Sequence, residues 1–142
     1  NRARLGSSRV EYVQADLFAW APLARFDAVV FTFWLSHVPP ERLDPFLETV
    51  RGALKPEGAV YFADSRRDPL TTTPDQPLPE EGRHWLTRRL NDGREFEILK
   101  VFYEPRALAS RFRAHGLAVD VRETASFFLY GRGVRMEDGG DV

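Results

Sequence analysis

A chain of 142 residues, 43% hydrophobic and 29% charged, has room for one packed domain and not for two. It contains no cysteine, which excludes disulfides, iron–sulfur clusters, thiolate zinc sites and a cysteine nucleophile from these residues. Basic and acidic side chains number 20 and 21, and their signs alternate, which argues against a dedicated nucleic-acid or membrane binder.

The longest apolar run, Ala28 to Leu35, is interrupted by Thr32 and is far short of the ~20 residues that a membrane-spanning helix needs. With no signal segment in view, a soluble cytoplasmic protein is expected. The chain opens on Asn1 and its only methionine is Met136, so it reads as a fragment of a longer protein. Arginine outnumbers lysine by 18 to 2, a bias that fits either anion recognition or codon usage.

Arg9 to Val13 is β-branched and aromatic and runs into Gln14-Ala15-Asp16, the pattern of a strand followed by a polar loop. Phe26 to Phe33 (FDAVVFTF) is near-continuously apolar, as in a strand buried on both faces of a parallel sheet. After a turn at Pro40 to Leu43, Asp44-Pro45 reads as an N-cap with proline in the first helical position. Phe46, Leu47, Val50 and Leu54 then recur at helical spacing. Lys55-Pro56-Glu57-Gly58 stops that helix, and Ala59 to Ala63 is the next strand. Strand, helix, strand with short joints is a βαβ unit with parallel strands.

Asp68 to Glu81 holds four of the ten prolines and reads as a long loop. His84 to Leu90 and Arg94 to Tyr103 flank Asn91-Asp92-Gly93, which predicts an antiparallel hairpin. Glu104-Pro105 opens a second helix that carries Leu108 and Phe112 and ends before Gly116. Leu117 to Arg122 and Ser126 to Tyr130 read as strands joined tightly at Thr124-Ala125. The tail from Met136 to Val142 is polar and glycine-rich and is expected to be disordered.

Ligands of a parallel α/β sheet bind beyond the carboxyl ends of its strands. The predicted ends are Asp16, the run Thr32 to His37, and Asp64-Ser65-Arg66-Arg67. Asp16 can hold an amine or a ribose hydroxyl, or it can simply cap a short helix after it.

Four stretches in order, Val10 to Leu17, Phe26 to Val30, Leu35 to Pro39 and Leu54 to Gly58, resemble the third to fifth strands of class I S-adenosylmethionine-dependent methyltransferases. The likeness runs from about Val10 to Arg132. It implies an α/β fold of Rossmann-like type: a mostly parallel sheet with helices on its faces, a C-terminal antiparallel strand and an added β-hairpin. Residues 1–135 would be a partial methyltransferase domain with the hairpin inserted at about 84–103. The resemblance gives S-adenosylmethionine as cofactor, Asp16 as the acceptor of the adenine amine, and Leu17 as its neighbour against the ring. It sets Phe31, Thr32 and Phe33 beside the methionine part and His37 on the substrate side.

Two departures stand out. Glu57 occupies a position where the family usually has glycine. The family's glycine-rich loop and the acidic residue that holds the ribose have no counterpart, so the first strand, first helix and second strand would precede Asn1. In the family's strand order, 3-2-1-4-5-7-6, the absent strands lie between this chain's first strand and its second.

Methyl transfer from a sulfonium depends mainly on placing the nucleophile about 3 Å from the methyl and excluding water. For a hydroxyl acceptor, His37 is the candidate base; the alternative is a histidine that only bonds its own loop. Trp34, Trp85 and Arg66 are candidates for contact with a small-molecule substrate, with Trp85 as an inward anchor of the hairpin. Arg66 would meet an anionic group or serve as part of a solvated loop. No metal site is expected, because His84 and His115 lack partners at useful spacing. A non-catalytic α/β binding domain and an RNA methyltransferase using Arg88, Arg89 and Arg94 are the rival readings. Oligomeric state is not legible.

Overall fold

The computed structural model describes residues 10–68, 78, 80 and 82–137. Most of the proline-rich stretch, the residues before Val10, and the tail after Glu137 lie outside the described residues. Met136, expected in a disordered tail, is tied down, since its N–H donates to the Gly116 carbonyl at 2.8 Å.

The FDAVVFTF run forms β1 (Phe26–Thr32), which pairs in parallel with β2 (Leu54–Ser65). Between them, 3₁₀ turns at Leu35–His37 and Pro40–Arg42 lead into α1 (Leu43–Ala53). The helix starts at Leu43, ahead of the expected cap at Asp44, and Pro45 falls within its first turn, where a missing N–H costs nothing. Asp44 is thereby released from capping. Its Oδ1 accepts from Arg111 at 2.8 and 2.7 Å and from His115 at 3.0 Å.

Lys55 to Gly58, expected to precede the strand, belongs to β2. Phe26 pairs with Leu54 but Ala28 pairs with Ala59, so the extra residues of β2 bulge out, and Glu57 turns the backbone through φ +58°. That left-handed conformation is the reason glycine suits the position.

The hairpin is present as β3 (Trp85–Arg89) and β4 (Glu95–Leu99), with Gly93 at φ +88° in its turn. Its second strand stops at Leu99, short of Tyr103, because beyond the His84–Lys100 step the chain turns to bond Ser36, whose carbonyl accepts from Val101 N–H at 2.8 Å. Helix α2 (Pro105–Ala114) is capped by Glu104, which accepts from the N–H groups of Arg106 and Ala107 at 3.1 and 2.8 Å. Gly116 follows it at φ +70°.

The last two strands are β5 (Leu117–Glu123) and β6 (Phe128–Arg135). The second runs five residues past the expected end at Tyr130. Its Gly131 and Gly133 are strand residues chosen for space: a Cβ on Gly131 would strike the Phe62 ring, and one on Gly133 the Ala118 carbonyl.

The sheet order is β1-β2-β6-β5, with β6 antiparallel to both neighbours. Three of the four strands therefore point one way, and the order matches the 4-5-7-6 end of the arrangement quoted above. The chain has a Rossmann-like mixed sheet. The expected strand at Val10 to Val13 is absent: this segment finds no ladder partner, and an extended segment without one has no means of satisfying its backbone as a strand.

Both helices pack on one face of the sheet. Phe46, Leu47 and Val50 of α1 and Leu108 and Phe112 of α2 close over Val60, Phe62, Leu117, Val119 and Leu129. Phe62 stacks between Phe31 and Phe112, with ring centroids at 5.8 and 5.4 Å. The other face is exposed among the described residues, with Val30, Tyr61, Tyr130 and Val134 open, as is the outer edge of β1.

Candidate functional site

The carboxyl ends of β1 and β2 converge on a buried polar cluster. Asp64, 2% exposed, accepts from the N–H of Ser36 at 3.0 Å and from that of Ser65 at 2.7 Å. Lys100 reaches in from the hairpin and donates to the hydroxyls of Ser36 and Ser65 at 2.9 and 3.0 Å. Its ammonium lies 3.9 Å from Asp64 Oδ1, outside hydrogen-bond range. Burial pushes the Lys100 pKa down; Asp64 draws it back up and Arg88 pushes it down further. Sequence reading placed Ser36, Asp64 and Ser65 at strand ends but missed Lys100. The available signal was the strand alternation that carries it onto the inner face of the hairpin.

His37 is exposed on the 3₁₀ turn beside this cluster, and its Nδ1 lies 2.8 Å from the Leu99 carbonyl. A carbonyl can only accept, so Nδ1 carries the hydrogen and Nε2 of the neutral ring keeps its lone pair. The hairpin thus orients the histidine.

On the opposite side of β1, an apolar cavity of about 230 Å³ opens between the Leu17–Trp20 segment, β1 and α1, lined by Leu17, Trp20, Val29, Phe31, Trp34 and Phe46 among others. Asp16, the residue before Leu17, is exposed and is not part of the cavity lining. Its Oδ1 accepts from Phe18 N–H at 2.9 Å, and its own carbonyl accepts from Ala19 N–H at 3.0 Å, so it does cap the following turn. Oδ2 accepts nothing from the described residues and is open to an amine. Phe18 packs on Trp34 with centroids 5.6 Å apart and carries the Arg42 guanidinium at 4.4 Å.

Leu17, Phe31 and Trp34 are therefore brought together, whereas Thr32 and Phe33 lie outside the cavity. Phe33 adopts φ +52°, is 53% exposed and meets Phe128 edge-on at 6.1 Å. A non-glycine residue held there stores strain of about 1–3 kcal/mol. Trp34 Nε1 and Tyr103 Oη are buried without a hydrogen-bond partner among the described residues. Burial raises the Tyr103 pKa to about 12.

Trp85 is 61% exposed and points away from Lys100, onto an open cavity shared with Pro39, Pro40, Glu41 and Leu99. Arg66 Nη1 donates to the carbonyls of Thr124 and Ala125 at 2.7 and 3.3 Å, tying β2 to the β5–β6 turn. Glu123 Oε2 lies 3.9 Å from the same Nη1, and the Arg66 Nε is buried without a hydrogen-bond partner among the described residues.

Across residues 2–121 the sequence matches the family described as methyltransferase domain, and the chain belongs to that family. Among solved structures it resembles the DhpI–SAH complex at 38% identity and TM-score 0.75, over 96% of this chain and 60% of that one. The DhpI–SAM–HEP complex matches at 39% identity and TM-score 0.76, over 92% and 60%. The 1,6-didemethyltoxoflavin-N1-methyltransferase of Burkholderia thailandensis shares the fold at 19% identity and TM-score 0.60, over 96% and 55%. No curated protein matches the sequence. The chain spans about 60% of the length of the DhpI structures that it matches.

Proposed function

We propose that the protein transfers a methyl group from S-adenosylmethionine to a small-molecule acceptor, with His37 as general base. The observation that carries this reading is the His37–Leu99 hydrogen bond, which leaves a basic Nε2 beside the carboxyl ends of β1 and β2. Support also comes from DhpI, described in complex with SAM and with SAH.

The residues present fit part of the cofactor. A cavity of about 230 Å³ is below the ~300–1,000 Å³ of a complete small-molecule site and suits the flat end of a nucleoside. Asp16 Oδ2 would accept the adenine amine, Leu17 would lie against the ring, and the orphaned Trp34 Nε1 is the sort of buried donor that a bound group satisfies. Phe31, Thr32 and Phe33 would border the methionine part.

S-adenosylmethionine supplies a methyl on a good leaving group, displaced in line by the acceptor. His37 Nε2 takes the proton of the acceptor hydroxyl as the new bond forms, while Leu99 O holds the ring in place. Trp34 would border the cofactor, whereas Trp85, exposed on the reverse of the hairpin, and Arg66, whose Nη1 is tied to the β5–β6 turn, would take no part in this step. We infer further that the bare sheet face and the free edge of β1 are where the rest of the longer protein packs. The test is methyl transfer by the whole protein: His37→Ala lowers turnover by about 10²–10⁴-fold without loss of cofactor affinity. Unchanged turnover would remove His37 from the chemistry.

A further inference from the structure

We propose that Lys100 is the positioning residue of His37: its ammonium, shared between the hydroxyls of Ser36 and Ser65, locks the hairpin exit onto the 3₁₀ turn and so fixes the tautomer and direction of the imidazole. The proposal rests on the methyltransferase reading above and deepens it by naming what holds the candidate base.

One peptide group lies at the centre of the arrangement. A trans peptide is planar, with its C=O and N–H pointing opposite ways, so the Leu99 carbonyl cannot turn independently of the Lys100 N–H. That N–H donates to the His84 carbonyl at 2.6 Å, on the entering side of the hairpin. The carbonyl, on the other side of the plane, lies 2.8 Å from His37 Nδ1. Whatever fixes Lys100 therefore aims the Leu99 carbonyl at the imidazole.

The Lys100 side chain is fixed at its far end. It is half-buried, and Nζ donates to Ser36 Oγ at 2.9 Å and to Ser65 Oγ at 3.0 Å. Asp64, 3.9 Å away, balances the charge, and the Phe102 ring centre lies 5.7 Å from Nζ. Ser36 is in turn held through its backbone: its N–H donates to Asp64 Oδ2 at 3.0 Å, and its carbonyl accepts from Val101 N–H at 2.8 Å. Two consecutive residues of the turn, Ser36 and His37, are thus bonded to three consecutive residues of the hairpin exit, Leu99, Lys100 and Val101. Of these bonds, those of Lys100 continue to the end of β2 through Ser65.

The chemistry of the side chain suits the task. An ammonium has three donors on a flexible stem and can satisfy two hydroxyls at once, whereas methionine fills similar space and donates nothing. Burial works against the Lys100 charge, so packing alone would be better served by an apolar residue.

Nitrogen NMR of the His37 ring in the whole protein, at about pH 8.5 where an ordinary histidine is neutral, reads the tautomer directly. The parent should carry its ring hydrogen on Nδ1 and leave Nε2 bare. Lys100→Met should give a mixture of the two tautomers and lower kcat by about tenfold or more, with S-adenosylmethionine affinity within about twofold. Ser36→Ala removes the link to the turn but leaves Lys100 with Ser65 and Asp64. It should shift the same ring signals and lower kcat by about threefold or more, and it decides the matter if Lys100→Met does not fold. An unchanged tautomer in folded Lys100→Met, or in Ser36→Ala where the first variant does not fold, makes Lys100 a general support of the fold and overturns the proposal, whatever the melting temperature does. A parent ring protonated on Nε2 overturns it as well. A changed tautomer with unchanged turnover upholds the clamp and overturns His37 as the base, so the two readings fail separately.

Discussion

The Nδ1 of His37 and the carbonyl of Leu99, 62 residues apart in sequence, lie 2.8 Å from each other, so the hairpin sets the tautomer of the candidate base. A base that is oriented from outside its own loop depends on that neighbour. Shortening the hairpin by replacing residues 86–98 with a tight turn should therefore lower kcat more than it weakens cofactor binding, as measured by single-turnover methyl transfer beside calorimetry. Equal loss of both would make the hairpin a general support.

Asp44 joins α1 to α2. Burial raises its pKa, but hydrogen bonds from Arg111 and His115 more than offset this, and the net shift is downward. A carboxylate whose folded pKa is below its unfolded value adds stability above the unfolded value and loses it as pH falls through the folded one. Asp44→Asn should accordingly lower the urea midpoint at neutral pH, and the difference from the parent should vanish in strong acid. With Asp44 46% exposed, the effect should not exceed about 1 kcal/mol.

Glu57 occupies the left-handed conformation at φ +58°. Glycine there removes a penalty of about 1–2 kcal/mol but gives back about 0.5–1 kcal/mol through a freer unfolded chain. Glu57→Gly should thus be neutral to mildly stabilising, whereas Glu57→Val should destabilise, both read by chemical denaturation. A marked loss from glycine would contradict the strain.

Phe112 is fully buried and stacks on Phe62 at 5.4 Å, joining α2 to the sheet. Truncation to alanine should cost about 3–5 kcal/mol and lower the melting temperature without a change in acceptor preference.

The βαβ unit was legible because its signals are local: a doubly buried apolar run, a helical stripe at Phe46, Leu47 and Val50, and punctuation at Lys55-Pro56. Gly93 and Gly116 likewise sit at the left-handed positions that their neighbours implied. What failed depended on distant partners. Val10 to Val13 has the composition of a strand but no ladder to join. The last strand was expected to end at Tyr130, yet it continues through Gly131 and Gly133, where Phe62 and Ala118 on neighbouring strands leave no room for a Cβ. In the candidate site, His37 was visible from its place after β1, whereas Asp16 was picked out as the end of a strand that the described residues do not form. Lys100 was not, since only the hairpin's register brings it to Ser36 and Ser65, 64 and 35 residues away in sequence.

The central claim is that this chain supplies the adenine edge and the acceptor side of an S-adenosylmethionine site. Calorimetric titration of S-adenosylmethionine into the whole protein and into its Asp16→Ala variant tests it most directly. The account predicts binding by the parent and a loss of about 1–3 kcal/mol in the variant, the cost of leaving the adenine amine without its acceptor. Equal affinity in the two proteins, or no binding by the parent, would contradict it.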